Sequence, residues 1–137
     1  MKCAVIGAGP VGTAMGLALA RAGIEVTVYE KEPALPDDPR AATLQPPTLA
    51  MLDALGSGAE VLDKGLRAPV FQFRDRASDE IVAEYDYGVL EGETEHPFAL
   101  QCEQFKVASA NARALEALQP GALRLGTEVA GFTQDEA

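Results

Sequence analysis

The 137-residue sequence has no tryptophan, a single histidine and two cysteines. With no C-x-x-C pair and one histidine, neither a zinc site nor a disulfide framework is suggested, and Cys3 and Cys102 read as plain thiols. Basic residues are scarce: 11 Lys and Arg stand against 21 Asp and Glu, for a formal net charge of −10. That balance disfavours nucleic acid and anionic membrane as partners, so any phosphate binding must be local. Long apolar runs are missing too. The opening MKCAVIGAGP carries one charged side chain and then an apolar run interrupted by Gly7 and Gly9, and no stretch approaches the length of a membrane span. The expectation is a soluble cytoplasmic protein with no metal, long enough for one domain with a sizeable core.

What the sequence does have is glycine, and its placement near the start organises the chain. Residues 2–6, KCAVI, form a short apolar run that suits a buried parallel strand flanked by helices on both faces. Gly7, Gly9 and Gly12 follow at the G-x-G-x-x-G spacing: a tight turn, a close backbone approach to pyrophosphate, and close packing of helix on strand. The helix beginning near Pro10 presents its first N–H groups and positive dipole end to such a phosphate, so no lysine is needed. Gly12, Gly16 and Ala20 give it a small-residue face, with Val11, Met15, Leu19 and Ala22 filling around it, and Gly23 as its stop. Residues 25–30, EVTVYE, have the β-branched content of a second strand, with Glu30 at its carboxyl end, where a carboxylate can accept from ribose hydroxyls. The whole reads as a nucleotide-binding βαβ unit. The competing reading, glycines used only for packing and Glu30 merely solvated, does not explain this order of strand, turn, helix and strand.

Residues 31–40 form a proline-containing surface loop closed by Arg40, which at this point is equally a solvated charge or a diphosphate clamp. Pro47 suits the first turn of a helix whose stripe is Leu49, Leu52 and Leu55 and whose end is Gly56. Residues 57–65 read as a connector. Residues 70–74 and 81–85 read as a hairpin around a polar turn at 75–80, the start of a second, antiparallel sheet. Its aromatic residues, Phe71 and Phe73 on one face and Tyr85 with Tyr87, are expected in a core rather than a pocket. His96 has no serine or carboxylate spacing that assembles a triad and reads as a loop residue, not a base. A helix from Gln101 to about Leu118 carries Phe105, Ala108, Ala112, Leu115 and Leu118 on one side and stops at Pro120 and Gly121. Residues 122–125 resemble a third parallel strand and residues 128–133 a further one, running into the acidic end at 134–137.

These residues resemble the amino-terminal part of the flavoprotein aromatic hydroxylases, the single-component FAD-dependent monooxygenases that include para-hydroxybenzoate hydroxylase and phenol hydroxylase. The likeness covers essentially the whole chain and is carried by VIGAGPVG, EKEP, PRAATLQPPTLAMLDALG and QCEQF. It implies an α/β chain with a Rossmann-like FAD/NAD(P)-binding layer and the start of an antiparallel substrate-domain sheet. The expected division is 1–69 for the first FAD-binding segment, 70–100 for the substrate sheet, and 101–137 for the return to the FAD-binding domain. It also implies FAD contacts by Gly7, Ala8, Gly9, Pro10, Val11 and Gly12, a ribose contact at Glu30 with Lys31 beside it, and a phosphate clamp at Arg40. Gln101 would reach the flavin side and Val129 backbone the adenine. For the whole enzyme the resemblance implies reduction of FAD by NAD(P)H and transfer of one oxygen atom of O2 to a small, phenol-like aromatic substrate.

Members of that family continue for hundreds of residues, through a G-D motif and most of a substrate sheet, so the chain is expected to be incomplete, inactive by itself and prone to self-association through open strand edges. No residue here can be assigned to oxygen transfer or substrate choice. The alternatives are a related flavoenzyme, such as a halogenase or an isoprenoid-chain reductase, and a nucleotide-binding module without redox chemistry. A plain NAD-dependent dehydrogenase fits less well, because the stretch after Glu30 leads to Arg40 and a hairpin rather than a second βαβ half.

Overall fold

The computed structural model describes residues 1–134. They group into two compact units, one made of Met1–Pro39 with the segment from Gln104 onward, the other of Arg40–Glu103. The units part at Pro39 and Arg40 and again at Glu103 and Gln104.

In the first unit, β1 (Lys2–Ile6), α1 (Pro10–Arg21) and β2 (Glu25–Tyr29) form the βαβ unit as read. β1 pairs in parallel with β2, in register from Lys2 opposite Glu25 to Ile6 opposite Tyr29. α1 ends because Gly23 takes φ +74°, which lets the Ile24 N–H return to Leu19 O and the Gly23 N–H to Ala20 O, both at 3.0 Å. Among the described residues helices cover one face of this sheet. Val26 and Val28 are buried and Cys3 and Val5 half-buried on that face, while Lys2, Ala4 and Ile6 point to an exposed one. The expectation of helices on both faces of β1 is therefore not met among the described residues.

α1 turns its expected small residues Gly16 and Ala20 inward, but two of the side chains expected to fill around them do not pack. Its buried residues are Thr13, Gly16, Leu17 and Ala20, whereas Val11 is 79% and Met15 52% exposed. Gly16 is required there, since a Cβ would lie 2.6 Å from Val28 Cγ2 and 3.2 Å from Leu115 Cδ2. Leu115 belongs to α4 (Gln104–Leu118), so this one glycine lets two helices and the sheet meet.

After α4, Glu116 shapes the turn back to the sheet by accepting from the Gly121 N–H at 2.8 Å and the Leu123 N–H at 2.6 Å. Gln119 ties the same turn to the entry of β2: its Nε2 donates to Ile24 O at 2.8 Å and its Oε1 accepts from the Val26 N–H at 3.1 Å. The short strand β8 (Leu123–Arg124) then pairs in parallel with β2, giving the order β1-β2-β8 and the third parallel strand read from the sequence. The strand expected at 128–133 is absent. Gly126 and Thr127 still bond to the backbone of Glu32 and Glu30, but beyond them no strand lies alongside, and an extended segment without a ladder partner is not a strand. Residues 135–137 of the expected acidic end lie outside the described residues.

In the second unit, α2 (Pro46–Leu55) starts on Pro46 and closes at Gly56, φ +77°, with Leu49 and Leu52 fully buried. The expected connector at 57–65 contains a helix, α3 (Gly58–Lys64). Gly58 sits so close to Asp53 that a Cβ would fall 2.8 Å from its backbone nitrogen. Three short strands escaped the sequence reading: β3 (Thr43–Leu44), β4 (Leu66–Ala68) and β7 (Ala99–Gln101) form an antiparallel sheet with β7 central. Gln101 is thus the end of a strand, and the helix expected to start on it begins at Gln104.

The hairpin is present as β5 (Val70–Arg74) and β6 (Ile81–Asp86), with a register shift at Phe73 and Arg74. Asp75 organises its turn by accepting from the Ala77 and Ser78 N–H groups at 2.9 and 2.8 Å. Its aromatic residues are not core: Phe71, Phe73 and Tyr85 are 45%, 53% and 59% exposed. The exposed rings stack on one another along the ribbon, Phe73 edge-on against Phe71 at 5.0 Å and Tyr85 at 6.2 Å.

Candidate functional site

Each glycine of the turn between β1 and α1 answers a different physical demand. Gly7 has φ +95°, a conformation costly to any residue with a Cβ, and its N–H donates to Tyr29 O at 2.7 Å, so the turn is anchored to β2. At Gly12 a Cβ would lie 1.9 Å from the Gly7 carbonyl oxygen, so only glycine lets the helix sit this close to the turn. Gly9 differs from both. Its φ of −67° and ψ of −178° suit any residue, and a Cβ there would meet nothing within 4 Å. The fold does not need glycine at this position; the open space beside the first turn of α1 does.

That helix end is left available for an anion. No side chain caps it, its first turn has no acidic residue, and Pro10 stands where an N–H would otherwise be orphaned. The buried Thr13 turns its hydroxyl back onto its own helix, donating to Gly9 O at 2.9 Å with Pro10 O at 3.2 Å. Val11 is exposed at the same end, and Ala8 is buried.

Glu30 follows β2 and is held from several directions. Its N–H donates to Arg124 O at 2.9 Å and its carbonyl accepts from the Thr127 N–H at 2.7 Å. Its carboxylate accepts from the Ala8 N–H at 2.8 Å through one oxygen and from the Glu32 N–H at 3.1 Å through the other. The Ala8 bond, then the Glu32 bond, holds the carboxyl below its ordinary value, so Glu30 is an anion joined to the glycine turn. Lys31 is exposed and lies 3.8 Å from the Glu32 carboxylate. Val129 is half-buried in an irregular stretch a little beyond Thr127. An open helix N-terminus beside a fixed carboxylate can take an anionic group and hydroxyl donors from one ligand.

The other two expected contacts lie in the second unit. Arg40 is exposed at its first residue. Gln101, half-buried at the end of β7, receives a hydrogen bond from Thr43 Oγ1 at 3.0 Å on Oε1. Sequence reasoning missed the Asp53 side chain, which pairs with Nε2 of His96. His96 is in a loop, as read, yet it is buried, edge-on to Phe98, and beside a cleft of about 640 Å3 lined by α2 and residues 92–96. No spacing rule links positions 53 and 96. Among the described residues no group of His, Cys, Asp and Glu could hold a metal ion.

Fold and turn together define a dinucleotide-binding βαβ layer. The chain belongs to the FAD binding domain family, whose model matches residues 1–137. It is 35% identical over 133 residues to para-nitrophenol 4-monooxygenase of Pseudomonas sp. (strain WBC-3), covering 97% of this chain and 33% of that enzyme. It is 34% identical over 125 residues to 6-hydroxy-3-succinoylpyridine 3-monooxygenase HspB of Pseudomonas putida (strain DSM 28022 / S16), covering 91% and 32%. The crystal structure of p-nitrophenol 4-monooxygenase PnpA from Pseudomonas putida DLL-E4 superposes with a TM-score of 0.89 at 32% identity, over 97% of this chain and 33% of that one. The chain therefore spans about a third of the length of the relatives it matches. Their names agree with the resemblance to FAD-dependent aromatic hydroxylases read from the residues.

Proposed function

We propose that this chain is the FAD-binding part of an NAD(P)H-dependent, cytoplasmic flavoprotein monooxygenase that hydroxylates a small, phenol-like aromatic substrate with O2. The observation that carries the reading is the open space at Gly9, over an uncapped helix end and next to the Glu30 carboxylate, in a chain matched throughout by an FAD-binding family. In this reading the turn at residues 7–12 holds the pyrophosphate through those of its backbone N–H groups that are not bonded to Tyr29 and Glu30, together with the helix dipole. Glu30 accepts from the adenosine ribose, with Lys31 at its side, and Val129 backbone lies against adenine. Arg40 clamps the diphosphate, and Gln101 reaches the flavin half. Bound FAD would supply the redox chemistry.

The domain reading is 1–69 and 101–137 for the cofactor and 70–100 for the substrate sheet. Neither nucleic acid nor membrane is a partner, in keeping with the charge of −10 and with the lack, among the described residues, of any helix long and apolar enough to cross a membrane. Self-association would use open strand edges such as that of β1, which among the described residues pairs only with β2.

Titration of the purified chain with FAD, followed by flavin absorbance and fluorescence, tests the cofactor. Saturable FAD binding competed by ADP is expected, and a chain that binds neither would end the proposal. Oxygen uptake and hydroxylated product from a panel of phenols, with NADH or NADPH, test the activity on the whole enzyme.

A further inference from the structure

We draw no further inference here: the strongest candidate, the exposed aromatic face that Phe71, Phe73 and Tyr85 form on the β5–β6 hairpin, carries nothing, because nothing among the described residues shows what covers it.

Discussion

Replacing Gly9 and Gly12 separately by alanine should split folding from binding within a single turn. At Gly12 the new methyl would stand 1.9 Å from the Gly7 carbonyl oxygen, with backbone on both sides of the clash, so α1 must move away from the turn. Overpacking of this kind costs about 1–3 kcal/mol, and against backbone the upper end applies. For a chain of this size each kcal/mol is about 2–8 °C in melting temperature, so Gly12→Ala should melt well below wild type. At Gly9 the same methyl meets nothing within 4 Å and the backbone is already extended. Fewer unfolded conformations favour alanine by about 0.4–1 kcal/mol, and the weaker helix cap takes back a similar amount. Gly9→Ala should therefore melt within a few degrees of wild type while losing FAD by about tenfold or more, about 1.4 kcal/mol, because its methyl occupies the ligand's space. Thermal melts by circular dichroism alongside flavin titration read both quantities. Wild-type FAD affinity in a folded Gly9→Ala, and again in the bulkier Gly9→Val, would refute the assignment of that space to the cofactor. A Gly12→Ala as stable as wild type would refute the packing argument.

The Glu30 carboxyl, held below its ordinary value of 4.5 by the Ala8 and Glu32 N–H groups, stabilises the folded chain above that value, and the contribution is lost as pH falls through the lowered one. Stability measured downward from pH 5 should thus fall less steeply in Glu30→Gln than in wild type, and an identical acid limb would mean that these bonds do not persist in solution. The same substitution should weaken FAD about tenfold, through charge-assisted bonds worth about 1.5–3 kcal/mol each, and unchanged affinity would remove Glu30 from the ribose site. Arg40→Lys keeps charge without the planar fork, so it should bind FAD better than Arg40→Ala and worse than wild type; three equal affinities would make Arg40 a solvated charge. Gln119→Leu deletes both bonds to the entry of β2 and leaves the Ile24 carbonyl and Val26 N–H without them, so denaturant unfolding should show a loss of about 1–3 kcal/mol, and no loss would mean that water replaces the amide.

The residues alone determined the elements whose cause lies within a turn or two of chain. The glycine spacing, Pro10 at the helix start, Gly23 at its stop and the β-branched run of β2 specify a βαβ unit, and Pro47 in the first turn and Gly56 at the end mark α2, because backbone preferences and helical periodicity act over a few residues. Contacts between distant residues were decided only by the tertiary structure. β3, β4 and β7 are strands of two or three residues that exist through pairing with one another, which no run that short announces. The stretch at 128–133 has strand composition and no strand, since a ladder needs a neighbour. The aromatic hairpin looks like core by alternation, but burial depends on what is laid against it. Position 30 was legible as a carboxylate at a strand end. That one of its oxygens holds the Ala8 N–H of the glycine turn follows from bringing β1 and β2 side by side, as the pairing of Thr43 with Gln101 follows from the register of β3 on β7.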